Sequence, residues 1–352
     1  MTYLVASSPH ELKNAKELID YSIPKYRQAY SDRTSWLMAC LSELAYIKFN
    51  PFIPTELYAK HFLDNVRNLL NKKQHQHLGL LFQSTNYDLE LEKKKLSKNL
   101  LLLNMKLVAT FDNQGTQALL VTNGNICVLA FRGTELHSLQ DIKSDINSDM
   151  RACVNGGNVH VGFNDAYESI AIELEERLKY SDVNYLPLYI TGHSLGGAIA
   201  TIAAKRLKHQ AGIAACYTFG SPKLADPQWG YSMKTPVYRI VNSFDCVPSF
   251  PPSGGANYIL CKTLNYIPFI GPKLSSIVKL LAKNYMHCGN MRYITHCNLE
   301  SLESTNIHYS VSLFYRLRQL IVKKLPFTNS LKDHSIKQYR KKLAVIAMKR
   351  NK

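Results

Sequence analysis

Apolar residues follow different rhythms in successive parts of this chain. From Glu11 to Ser22 and from Arg33 to Lys48 they recur every three to four positions, the spacing of amphipathic helices. In the second segment Trp36, Leu37, Ala39, Cys40, Leu41, Leu44, Ala45 and Ile47 form a broad apolar surface, with Ser31 and Asp32 as caps before it. Pro51 and Pro54 interrupt the rhythm, and Glu56 to Asn71 resumes it. At Lys106 the pattern turns into short strand-like runs, 107–111, 117–121 and 126–131. Asn113-Gln114-Gly115 and Asn123-Gly124-Asn125 separate them, as hairpin turns do. Beyond this, apolar runs alternate with helical stretches. Val159 to Phe163 precedes a helix from Ala166 to Tyr180. Leu186 to Ile190 precedes a helix from Ala198 to Leu207. Ile213 to Phe219 and Val237 to Val241 read as further buried strands. Ser304 to Leu320 and Ser335 to Met348 read as helices. Strands alternating with helices after a hairpin start predict an α/β fold, with a mostly parallel sheet covered on both faces. The expected division is a helical region over 1–105, packed on an α/β domain over 106–348 that carries an insertion at 253–286.

The most informative junction is Thr191-Gly192-His193-Ser194-Leu195-Gly196-Gly197. It stands between a predicted strand and a predicted helix, the context that gives Gly-x-Ser-x-Gly a chemical meaning. A turn this sharp leaves no room for side chains beside the serine and holds the serine backbone in a strained conformation. The hydroxyl then stands at the top of the sheet, where the N–H groups of the following helix favour negative charge. Residues after parallel strands gather on one rim, so Thr134, Ser194, Ser221 and Asp245 are expected to converge there. Asp145 and Asp149, four apart in the polar segment Asp141 to Met150, read as tying down a loop rather than as paired acids.

Charge changes the picture only modestly. The 352 residues are 46% hydrophobic and 20% charged, with 43 Lys and Arg against 26 Asp and Glu, a formal net charge of +17. That surplus favours anionic partners such as membrane headgroups. No zinc-finger spacing or aromatic-basic strand-binding motif accompanies it, so nucleic acid is not expected. The eight cysteines include no Cys-x-x-Cys, and several lie in apolar runs. This predicts free thiols and a reducing, cytoplasmic setting. The first ten residues lack the basic and apolar regions of a secretory signal, and no window has the ~18–20 apolar residues of a membrane span. Export by a signal-independent route stays open. No metal or cofactor is called for.

A serine hydroxyl attacks only with a base in reach and a carboxylate orienting that base. Asp245, just past a strand end and two strands after the serine, is the natural carboxylate. Downstream stand His287, His296, His308 and His334. His308 falls in the predicted 304–320 helix, and His296 has no supporting context. His334, expected in a loop after the last sheet element, is the preferred base, and His287, near the start of the last apparent strand, is second. The oxyanion donors expected are the N–H of Leu195 and that of Thr134, with the Thr134 hydroxyl as a third.

Phe131-Arg132-Gly133-Thr134, Val159 to Phe163, Gly192 to Ala198, Thr218 to Pro222, Val241 to Pro248 and Asp333 to Tyr339 occur in one order. As a set they resemble the class 3 lipase family of α/β-hydrolases, over about residues 107 to 346. The resemblance implies an α/β-hydrolase fold and hydrolysis of carboxylic esters of lipids through an acyl-enzyme. It implies Ser194, Asp245 and His334 as the triad, a structural role for His287 in its His-x-Gly strand, and a lid over Glu135 to Asn158, which is polar here. The chain departs from the compact fungal members in its long segment before His287 and its helical N-terminal region.

Two further expectations follow from the residues. In 266–283, Leu274, Ile277, Val278 and Leu281 share one helix face, with Lys273, Lys279 and Lys283 at its edges. This suits peripheral contact with anionic membrane, and equally a helix packed on the domain with its lysines in water. Triglyceride lipase and phospholipase or lysophospholipase activities both fit the site. So do acyl transfer by the same triad and an inactive hydrolase-fold module that binds membrane or a partner.

Overall fold

Alternation along the strands divides the apolar residues between two cores. In β3 (Cys127–Phe131), Val128 and Ala130 face one core while Cys127, Leu129 and Phe131 face the other, as the two-residue period of a strand requires. The computed structural model describes residues 3–20, 26–48, 63, 66–67, 70, 88–113, 115–133, 149–153, 156–251, 284–297, 299–312, 315–316 and 329–350. Its other strands are β1 (Lys106–Asn113), β2 (Thr116–Thr122), β4 (Met150–Ala152), β5 (Asn158–His160), β6 (Leu188–His193), β7 (Ile213–Phe219), β8 (Val237–Asn242), β9 (Asn290–Ile294) and β10 (Ile307–Tyr309). Among the described residues β1-β2-β3-β6-β7-β8-β9-β10 form one sheet in that order, and β4 pairs with β5 apart from it. β1 to β3 form an antiparallel meander, β3 through β9 run parallel in the sheet, and β10 closes the edge antiparallel to β9. Phe131 lies opposite Gly192, and His193 opposite Phe219, so the carboxyl ends of β3, β6 and β7 share one rim.

Helices cover both faces. On one face lie α1 (Pro9–Asp20), α2 (Asp32–Leu44), part of α3 (Leu89–Leu102) and the last helix, α8 (Ile336–Arg350). On the other lie α4 (Val161–Arg177) and α5 (Leu195–Arg206). The short α6 (Pro227–Tyr231) and α7 (Asn329–His334) complete the described helices. Every residue of α2 from Thr34 to Leu44 is buried, because the sheet lies beneath it and α8 alongside. Each large apolar side chain so buried contributes about 1.5–3 kcal/mol. Ser31 caps the helix by accepting from the Thr34 N–H at 3.3 Å. Arg340 of α8 is buried against it. Its Nε donates to Glu43 Oε2, and Nη1 to the Val5 carbonyl at 2.6 Å and to Glu11 Oε2 at 3.3 Å. Lys341 meets Glu11 at 2.9 Å. The helical N-terminal region is thus tied into the core by matched charges.

The predicted α/β architecture, a mostly parallel sheet with an N-terminal helical layer, is the one observed. Several local readings are corrected. Only Val159 and His160 of the Val159–Phe163 stretch are extended, within β5 and paired with β4, and α4 has begun by Val161. Ile307–Tyr309 is a strand rather than part of a 304–320 helix, because it completes the ladder of β9. His308 is therefore an exposed edge-strand residue. His334 ends the helix α7 rather than lying in a loop. The Glu56–Asn71 helix, apart from four isolated positions, the lid segment up to residue 148 and the 266–283 helix lie outside the described residues. Among the described residues no helix is long and apolar enough to cross a membrane.

Candidate active site

Ser194 stands between β6 and α5, at the N-cap of the helix, with φ 57° and ψ −128°, a left-handed backbone that a side chain adopts only under strain. The neighbouring glycine explains how the turn fits. A Cβ on Gly196 would stand 2.5 Å from the Phe131 carbonyl oxygen, so strand end and helix start approach as closely as they do only without one. The Ser194 hydroxyl makes no cap bond to its own helix. It lies 2.9 Å from His334 Nε2 instead. His334 Nδ1 in turn lies 2.9 and 3.0 Å from the two oxygens of Asp245. A carboxylate only accepts, so Nδ1 carries the proton and Nε2 offers its lone pair to the serine O–H. All three residues are buried.

The carboxylate is fixed from several directions. Its Oδ1 accepts from the Val247 N–H at 2.9 Å, and its Oδ2 from the Tyr339 hydroxyl at 2.6 Å. The Tyr339 oxygen accepts from the Asn242 N–H at 2.9 Å. Asn242 also bonds the chain next to His334, donating Nδ2–H to the Asp333 carbonyl at 2.8 Å, and its Oδ1 accepts from Lys342 at 2.7 Å. Burial, then the charge of Asp245, pushes the Tyr339 phenol well above its ordinary range, so it stays protonated and donates. Gly220, at φ +57°, lets the chain pass beside this pair. A Cβ there would stand 2.5 Å from Asp245 Oδ2 and 2.9 Å from His334 Nδ1.

A second imidazole braces the first. His193 Nε2 lies 2.6 Å from the His334 carbonyl oxygen, which can only accept, so Nε2 carries its proton. Its Nδ1 then accepts from the Tyr46 hydroxyl at 2.8 Å. Burial first, and His334 second, push this imidazole well below its ordinary range and keep it neutral. The turn after α2 thereby supports the segment that carries His334.

The sequence-predicted residues sort cleanly. Ser194, Asp245 and His334 stand in one hydrogen-bonded line. Leu195 is the first residue of α5, where a backbone N–H has no partner within the helix. Thr134 lies outside the described residues. His287 meets neither the serine nor the aspartate; its Nε2 donates to the Pro248 carbonyl at 2.7 Å. His296 packs edge-on against Phe244. Among the described residues no three His, Cys, Asp or Glu side chains are grouped as metal ligands. Sequence reasoning gave no role to Tyr339, Tyr46, His193 or Asn242. The one available signal was position: Tyr339 comes five residues after the preferred histidine, early in a helix. The line can draw the Ser194 proton onto His334 as the oxygen attacks an electrophilic carbon, and return it to a leaving group.

Residues 128–254 match the family model described as Lipase (class 3). A secreted mono- and diacylglycerol lipase of Fusarium solani is 31% identical over 116 residues, covering 31% of this chain and 35% of the relative. A chloroplastic phospholipase A(1) of Arabidopsis thaliana, DAD1, is 32% identical over 148 residues, covering 35% of this chain and 33% of its own. The chain spans about a third of the length of these curated relatives. Among solved structures, a lipase from Rhizopus microsporus var. chinensis aligns over 89% of this chain and 90% of its own, with 19% identity and a TM-score of 0.49.

Proposed function

We propose, for a chain that belongs to the class 3 lipase family through residues 128–254, that it hydrolyses carboxylic esters of lipids through an acyl-enzyme. Ser194 is the nucleophile, His334 the general base and then acid, and Asp245 the carboxylate that orients the imidazole and partners the imidazolium. The Leu195 N–H, aided by the α5 dipole, stabilises the oxyanion, with Thr134 as the second donor. The observation carrying this reading is the unbroken line from a strained serine at a helix start, through 2.9 Å to His334, to a buried carboxylate. The relatives' names include both a glyceride lipase and a phospholipase, and the reading takes lipid esters as the substrate class.

The test is Ser194→Ala. Turnover of a lipid ester should fall by roughly 10⁶-fold, and labelling by a serine-reactive phosphonate should vanish, with the thermal unfolding profile kept. Retained turnover in a folded variant would sink the reading. Three further assignments belong to this proposal. The 1–105 region is a helical layer packed on the 106–348 hydrolase domain, which carries an insertion at 253–286. The basic amphipathic sequence 266–283 contacts anionic membrane, which loss of vesicle co-sedimentation on charge reversal of Lys273, Lys279 and Lys283 would test. The chain works in a reducing, cytoplasmic setting; free thiols at Cys40, Cys127, Cys153, Cys216, Cys288 and Cys297 fit it, and thiol alkylation in intact cells tests it.

A further inference from the structure

Three cationic side chains and an imidazole gather around the turn that follows β8. Lys223 Nζ donates to the carbonyls of Ser249 and Pro251, at 2.7 and 2.8 Å. Arg316 Nη2 reaches Ser249 Oγ at 3.4 Å. His287 Nε2 donates to the Pro248 carbonyl. Arg239, on β8, donates Nε–H to the Gly289 carbonyl at 3.3 Å, two residues from His287. Tyr238 and Ile240 face the core beneath α2 and α8, so alternation turns Arg239 to the opposite face, beyond the cover of α5.

What distinguishes the group is the lack of counter-charge. Among the described residues none of the four meets a carboxylate, and their side chains donate to carbonyls and a hydroxyl. Arg239 Nη1 and His287 Nδ1 are shut off from solvent without any hydrogen-bond partner among those residues. The neighbouring stretch of sequence is itself poor in acids. Cys246 to Leu299 contains no Asp or Glu, and up to Lys332 only Glu300 and Glu303 occur, against ten Lys and Arg. Glu303 lines the cleft beside α1 and α8 instead. The side chains accordingly depress one another. Burial first, then Arg316 and Arg239, push the Lys223 amine down to about 8. Burial, then Arg239, hold His287 well below its ordinary range. Burial lowers Arg239 to about 10. Crowding half-buried like charges around one turn, with two nitrogens left orphaned, is costly.

We infer that Lys223, Arg239, His287 and Arg316 form a binding site for a phosphate monoester group, separate from Ser194. The oxygens of such a group accept from guanidinium and ammonium. Its remaining P–OH can donate to His287 Nδ1, which is an acceptor because Nε2 already donates to Pro248. That last contact selects a monoprotonated phosphate over sulfate or a phosphodiester, neither of which has a proton to give. A phosphatidate-type lipid head and free phosphate both present this group, and the chemistry recognised is the same. The site does not depend on ester hydrolysis, and its test reads binding.

The experiment titrates the full chain near pH 7 at constant ionic strength with inorganic phosphate, short-chain phosphatidate, sulfate and short-chain phosphatidylglycerol. Melting temperature and calorimetry are followed. Phosphate or phosphatidate should stabilise the protein saturably, with sulfate and phosphatidylglycerol at least about tenfold weaker, the worth of one lost hydrogen bond to a charged group. Equal affinity for phosphate and phosphatidate assigns the site to the free ion, and tighter phosphatidate binding assigns it to a lipid head. Arg239→Met and Lys223→Met should each weaken binding about tenfold or more. If Arg239→Met does not fold, Lys223→Met and Arg316→Gln carry the same expectation. The inference is overturned if neither phosphate nor phosphatidate stabilises beyond chloride, if sulfate binds as well, or if the folded variants bind like the parent.

Discussion

Two imidazoles flank the turn after β8, and they could hardly be treated more differently. His334 is suspended between a carboxylate and a serine hydroxyl, with Tyr339 and His193 holding its supports. His287 spends its one proton on a backbone carbonyl and faces Arg239, Lys223 and Arg316. His334 is buried and His287 half-buried. The partner on the far nitrogen makes the difference. A carboxylate fixes the tautomer and gives the imidazolium formed on proton transfer a counter-charge, whereas surrounding cations make that second proton prohibitive.

The comparison is most sharply tested by exchanging the losses. His334→Ala should cut ester turnover by about 10⁴–10⁶-fold while changing stability little, and Asp245→Asn should cut it by about 10⁴-fold because the amide favours the wrong tautomer. His287→Ala should instead lower the unfolding free energy by about 1–3 kcal/mol, with a turnover loss at least about 100-fold smaller than that of His334→Ala. Steady-state kinetics beside urea unfolding would separate the two, and equal kinetic losses would erase the distinction. A smaller effect is expected at Tyr339→Phe. It leaves Asp245 one donor short and the Asn242 N–H without its acceptor, for roughly a tenfold loss in kcat with KM little changed, and about 1–3 kcal/mol of stability. Unchanged kcat would reduce Tyr339 to a packing residue.

The smallest effect concerns the charge group that is matched. Burial alone would raise the Glu11 carboxyl, but Lys341, the Ser7 N–H and Arg340 together hold it at about 2 against an ordinary 4.5. Its contribution to stability is therefore complete above about pH 4.5 and disappears as pH falls toward 2. Glu11→Gln should abolish that part of the acid dependence and cost under about 1 kcal/mol at neutral pH, since the pair is partly exposed. Acid unfolding curves that coincide for parent and variant would show that the pair contributes nothing.

How much of this could be read from the residues depended on where the determining partner lay. β7 emerged with its observed bounds because a run buried on both sides, Ile213–Phe219, is its own signal. The serine turn was legible because its glycines are demanded by local sterics. Ser194 and Asp245 were readable because each follows a strand of the sheet, and His334 because it comes last in the order the chemistry needs. Ile307–Tyr309 was not legible as a strand, since three residues are extended only by virtue of β9 beside them. Tyr339 was hidden for a related reason. A phenol on the apolar side of a helix reads as packing, and only the approach of Asn242 and Asp245, almost a hundred positions away, reveals its hydrogen bonds. The Arg239 cluster was invisible because sequence records the cations but not their confinement against one turn.

The buried contact of Arg340 with Glu43 joins positions 297 apart, and Tyr339 beside it holds the Asp245 carboxylate. Closing so long a loop is slow compared with forming local turns, because its entropy is lost before any contact rewards it. During folding, the elbow around Ser194 can form from adjacent strand and helix, while His334 and its supports must wait for the α8–α2 docking. Recovery of catalysis is then a clock for chain closure: on dilution from denaturant, sheet and helix signals should return before turnover does.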